Sequence, residues 1–151
     1  MRLLIAVAAI AALPHLAHAQ VPSAAAVKFG PGPDFLPKAV EFALLQGDPS
    51  KPGVYTVRLR FPDNFRFPAH WHPLDEHVTV LQGTFLVGMG DSIDLAKAMP
   101  LTAGGFITAP ANGHHFAVSR GVTIVQVSGE GPFAITYVKA SDDPRQAQPA
   151  R

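Results

Sequence analysis

From residue 54 to residue 61 the chain reads Val-Tyr-Thr-Val-Arg-Leu-Arg-Phe, with Tyr55, Val57 and Leu59 on one side and Thr56, Arg58 and Arg60 on the other. A period of two marks a strand that buries one face. Similar short β-rich runs occupy 40–46, 77–82, 84–89, 106–109, 115–119, 122–128 and 133–138. Gly47-Asp48-Pro49, Gly83, Gly104-Gly105, Asn112-Gly113, Gly121 and the Gly129 to Pro132 stretch divide them. Such residues supply the backbone angles that tight turns need. Only 92–98 has a helical texture, with Ser92 or Asp94 placed to cap it. Many short strands and at most one short helix predict an all-β domain: a sandwich, barrel or jelly roll. A parallel α/β fold is excluded, because no helix follows each strand.

The texture changes at both ends. Arg2, the uncharged apolar run 3–13, Pro14 and then Ala17-His18-Ala19 follow the order of a secretory signal peptide cut after Ala19. The run is too short to span a membrane, which takes about 20 apolar residues. The expectation is therefore an exported protein, periplasmic or secreted, with no membrane segment after cleavage. Residues 20–37, rich in Ala, Pro and Gly, read as an extended N-terminal arm. Residues 38–138 form the domain, and the polar, Pro-broken 139–151 read as a flexible tail.

Charge narrows the partners. The full chain carries a formal +1, and removal of Arg2 leaves the mature chain neutral. No basic stripe is present to neutralise phosphates, so a nucleic-acid partner is excluded. Cysteine is absent, so any metal ligand must be nitrogen or oxygen.

The histidines change the picture most. Outside the signal segment all five fall within 70–77 and 114–115. His70 and His72 are two apart, so on one strand both rings project from the same face. Pro73 suits a bend, and Glu76 is placed to return on the next strand. Two imidazoles and a carboxylate from neighbouring strands make a facial set for a divalent transition ion. The stretch from Gly105 through Pro110, Asn112 and Gly113 to His114 and His115 can deliver a third imidazole. His77 and His114, each beside a candidate ligand, point the other way by alternation, as does Trp71. Asp75 reads as a solvated turn residue. Tyr55, Arg58 and Gln126 lie on strands that can line a barrel, and no catalytic residue is singled out.

These residues resemble a family. His70, His72, Glu76 and Gly83 match H-x-H-x3-E-x6-G, and Gly104, Pro110 and His115 match the second motif of the cupins. The resemblance covers about 38–138 and is similar to the small bacterial cupin-2 type. It implies a jelly-roll β-barrel holding one divalent metal ion (Fe, Mn, Zn, Ni or Cu) with His70, His72, Glu76 and His115. Two positions depart from the pattern. Asn64 stands where a Gly is usual, and Asn112 does the same in the second motif, with Gly one place later. Asn tolerates a left-handed turn, so both turns remain possible. A one-residue slip at the second would present His114 instead of His115, and counting five from Pro110 favours His115.

The resemblance implies a metal-dependent enzyme acting on a small molecule, by dioxygenation or by isomerase or lyase chemistry. A non-catalytic small-molecule or metal binder and a scaffold with a vestigial site are the alternatives. Homodimers are frequent in the family, and the arm 20–37 offers an edge for one. Imidazoles must be neutral to ligate, so metal affinity is expected to fall between about pH 6 and 5. The metal-free form is expected to change little over that range.

Overall fold

The computed structural model describes residues 23–146. The expected signal peptide and the last five residues of the tail lie outside them. Nine strands follow in order: β1 (Gly30–Pro31), β2 (Glu41–Gln46), β3 (Gly53–Phe61), β4 (Arg66–Trp71), β5 (Glu76–Met89), β6 (Met99–Thr102), β7 (Phe106–Ala109), β8 (His115–Gly131) and β9 (Thr136–Tyr137). All pairings are antiparallel. The only helical segments among the described residues are three short 3-10 turns, at Ala24–Ala26, Ala140–Asp142 and Pro144–Gln146. None is long and apolar enough to cross a membrane.

The sheet curls because β5 and β8 each serve two faces. The second half of β8 pairs with β3 on one side and the first half of β5 on the other. Its first half pairs with β4 and with the second half of β5. One face therefore runs β1-β2-β3-β8-β5-β7, the other β9-β4-β8-β5-β6. The bend comes at Gly83, where φ is +76° and the pairing register shifts. A Cβ there would stand 2.5 Å from Thr123 Oγ1 and 2.6 Å from the Val122 carbonyl, so the corner admits only glycine. This curled sheet is a jelly roll, one of the architectures that the strand texture predicts and the one that the family resemblance implies.

Alternation places the core. Tyr55, Val57 and Phe61 of β3, Val78 and Val80 of β5 and Val125 and Val127 of β8 are buried between the faces. Thr56, Arg58 and Arg60 stay on the outside, Arg58 donating to Gln126 Oε1 and Arg60 to Glu41. Each fully buried aliphatic or aromatic side chain contributes about 1.5–3 kcal/mol. An aromatic seam of Phe61, Phe65, Phe67 and Phe85 fills one end of the barrel.

Several elements differ from the sequence reading. Residues 92–98 form turns, not a helix: Asp94 accepts from the Ala96 amide and pairs with Lys97, closing the chain over two and three residues. Residues 115–119 and 122–128 are one continuous strand, since Gly121, at φ +69°, bends β8 without breaking its pairing with β5. Within 133–138 only Thr136 and Tyr137 pair. The arm reaches the domain at Gly30–Pro31, which pairs with β2, and Leu36 lies in the core. Arg145, in the tail, holds the Ile135 carbonyl and Asp143.

Candidate metal centre

Three strand ends meet at one mouth of the barrel. His70 lies near the end of β4 and is the register partner of His115, which opens β8. His72 lies just past the end of β4, and Glu76 opens β5 opposite Ala109. The two asparagines that depart from the motif both sit in the left-handed region, Asn64 at φ 57° and Asn112 at φ 61°. The turns the motif needs are thus made without the usual glycine.

The loops are tied to each other across the mouth. The Asn112 amide donates to the His72 carbonyl at 2.7 Å. The Ala111 amide donates to Asp75 Oδ1, also at 2.7 Å. Asp75 is therefore a clip between the loop carrying His72 and Glu76 and the loop carrying His115, not a free turn residue.

Each imidazole is oriented by the backbone. His70 Nδ1 donates to the Pro68 carbonyl (2.7 Å), His72 Nδ1 to Ala134 (2.8 Å) and His115 Nδ1 to Gly113 (3.0 Å). With Nδ1 protonated and donating, Nε2 carries the lone pair. Ligand atoms of the three rings lie within 4.8 Å of one another, and all three residues are buried. Glu76 Oε2 stands 3.6 Å from His72 Nε2 and 3.8 Å from His115 Nε2, too far for hydrogen bonds. His72 Nε2 and His115 Nε2 are buried without any partner.

This donor set fits a cation. Two ligand atoms each about 2.1 Å from one ion stand roughly 3.0–3.4 Å apart. The observed carboxylate–imidazole gaps lie just outside that range, so a slight tightening would close them. Second partners on the far ring nitrogens are what metal-bound histidines ordinarily have. The His70, His72 and His115 cluster is thus one that could hold a metal ion.

Electrostatics agree. Burial pushes the His70 proton affinity well below the ordinary histidine range, and the neighbouring His115 and His72 push it further. Burial also lowers His72 and His115, against the raising effect of their bonds to Ala134 and Gly113. The imidazoles are held neutral, as ligation requires. Burial raises Glu76, partly offset by His115 and His77.

The neighbours expected to face away do so. His114 Nδ1 bonds Asp91 Oδ1 at 2.5 Å and stacks on Trp71, outside the barrel. His77 bonds Thr108 and stacks on Phe106 on the outer face. Arg58 and Gln126 pair with each other there and do not line the cavity. Tyr55 points inward and packs edge-on against Phe133. The residues that sequence reasoning missed are Asp75 and the carbonyls that orient the rings. A carbonyl carries no side-chain signal, whereas an acidic residue next to the motif glutamate could have drawn notice.

Comparison with known proteins places this architecture. A family profile described as a domain of unknown function (DUF4437) matches residues 34–150. No curated protein matches. Among solved structures, a protein of Methylibium petroleiphilum PM1 assigned as an acetylacetone dioxygenase superposes with a TM-score of 0.63 at 22% identity, over 87% of this chain and 89% of the other. The polyketide cyclase of Streptomyces resistomycificus gives 0.65 at 18% identity, over 84% and 90%. An RmlC-like cupin of Shewanella frigidimarina NCIMB 400 gives 0.54 at 18%, over 70% and 85%.

Proposed function

Because the chain belongs to the DUF4437 family and folds as a single-domain bacterial cupin, we propose that it is an exported metal-dependent enzyme acting on a small molecule, with His70, His72, Glu76 and His115 as ligands of one divalent ion. The observation that carries this reading is the pair of buried, unpartnered Nε2 atoms of His72 and His115, both turned toward Glu76. An unpartnered buried acceptor costs roughly 1–3 kcal/mol, and two of them side by side mark a place where a cation belongs. When bound, such an ion supplies Lewis acidity, or dioxygen chemistry if it is redox-active, and leaves coordination positions for a substrate.

The residues of the chain supply the rest. The carbonyls of Pro68, Ala134 and Gly113 hold the rings so that little reorganisation accompanies binding. Glu76 would bring the one carboxylate of the set beside the imidazoles and offset part of the charge of a bound cation. The apolar wall behind the rings keeps water away from the reacting atoms. Among the described residues the cavity has no acid or base beyond those four. That favours dioxygenation over isomerase or lyase chemistry, which would call on a second proton-transfer group. The same lack supports, as a second reading, a cupin that binds a small molecule without turnover.

Elemental analysis of the protein from its native compartment tests the centre, with close to one transition ion per chain expected. Oxygen-electrode assays with small oxygen-containing molecules then separate enzyme from binder. Protein that neither holds nor takes up an ion defeats the reading. Export rests on the order of residues 2–19, and an intact mass that retains them in the exported fraction would remove it.

A further inference from the structure

The wall of the cavity limits what can enter, and this inference rests on the metal reading above. Leu59, Phe61, Val78, Phe85, Ile107 and Val125 are among its lining residues. Among the described residues no Lys, Arg, Asn, Gln, Ser, Thr or Tyr lines it, and its polar groups are the three imidazoles and Glu76. Its volume is ≈ 50 Å³, so only a small body fits. Outside lies a wider groove bordered by Val54, Leu74, Asp75, His77 and Glu130. A small recess touching His72, Asp75, Glu76, Glu130 and Phe133 lies between them and shares lining residues with both spaces. The ground between groove and cavity therefore carries Asp75 and Glu130 ahead of Glu76 and, among the described residues, no lysine or arginine.

We infer that the site takes a small molecule with an oxygen-donor head and an uncharged, apolar body, and rejects molecules that carry a second anionic group beyond the head. The head alone can be anionic, because an ion with one carboxylate ligand keeps a net positive charge. Any further carboxylate or phosphate would lose its water against hydrocarbon and find no donor to replace it. An apolar body gains from the same wall, about fourfold in affinity for each methyl group buried. Asp75 and Glu130 add repulsion at the entrance, which salt screens.

The test uses the full mature protein loaded with cobalt(II), whose absorption spectrum reports a new ligand. Three hydroxamic acids share one metal-binding head: acetohydroxamic acid, 3-methylbutanohydroxamic acid and the monohydroxamate of malonic acid. The last two have equal numbers of heavy atoms and differ in carrying an isopropyl group or a carboxylate. Spectral titration and calorimetry should show the isopropyl compound, with three further carbons, binding up to about sixtyfold tighter than acetohydroxamic acid. The carboxylate compound should bind at least about a hundredfold more weakly than its isopropyl partner, at high salt as well as low. Equal binding of those two overturns the inference and leaves the metal centre standing. So does a difference that vanishes at high salt, since it would then arise at the entrance and not in the wall. A protein that takes up no cobalt fails at the earlier step and removes both readings together.

Discussion

His72 and His115 each bury a ring nitrogen that bonds to nothing, while the opposite nitrogen holds a backbone carbonyl. Replacing His70, His72 or His115 with Ala should each weaken metal binding by more than about 100-fold. His114→Ala should leave it within a few-fold, since His114 pairs with Asp91 outside the barrel. Metal content after chelator competition measures both, and loss of metal in His114→Ala alone would reverse the assignment. That choice was legible in the sequence only by counting from Pro110; strand alternation then follows, because adjacent side chains on β8 point to opposite faces. The same burial changes the expected response to acid. The folded chain holds all three histidines below their unfolded proton affinity, near pH 6.5. As pH falls through that value the unfolded chain takes up protons first, so stability declines below about pH 6.5 even without metal. Glu76, raised in the fold, works with the opposite sign as pH approaches its unfolded value near 4.5, but it is one group against three. Burial thus argues against a flat metal-free response: the sequence points to histidines as ligands but not to how deeply they are buried. Melting temperature against pH for chelator-treated protein should fall from pH 7 to pH 5, and a level curve would mean that the three rings protonate freely in the fold.

At the scale of elements, the site depends on two loops fastened to each other. The Ala111 amide reaches Asp75, and the Asn112 amide reaches the His72 carbonyl. Asp75→Ala should cost about 0.5–1.5 kcal/mol of stability. It should also loosen metal binding by roughly tenfold, because His115 then hangs from a less constrained loop. Asp75→Asn keeps the acceptor oxygen and should recover most of the affinity. Equal metal affinity in wild type and Asp75→Ala, measured by competition with a chelator, would remove the clip from the account. Strands announced by alternation, such as β3, were readable because one face meets the core and the other meets water. Residues 92–98 were not, because Asp94 can bond its own chain in a turn as readily as it can cap a helix. The short β6 was hidden as well: its pairing comes from β5 bringing an edge to it, not from any pattern of its own.

For the molecule as a whole, the centre joins parts of the chain that are distant in sequence, so an ion bound there would be coupled to folding. At a hundredfold excess over its dissociation constant it would add about 2.7 kcal/mol. The jelly roll itself was legible from strand texture and the two motifs. How its faces are joined was not, because a glycine within a strand run reads equally well as a bend or as a break. In the structure Gly83 and Gly121 are bends, and β5 and β8 each continue through both faces. Neither face can therefore come apart alone, since opening one strips hydrogen bonds from strands that the other also needs. In amide hydrogen exchange, the paired amides of Val78, Val80, Val87, Ala117, Val125 and Val127 should share one slow rate set by global unfolding. They should slow together when metal is added, while residues 92–98 stay fast. Two separate slow rates, one for each face, would mean that the barrel breathes as halves.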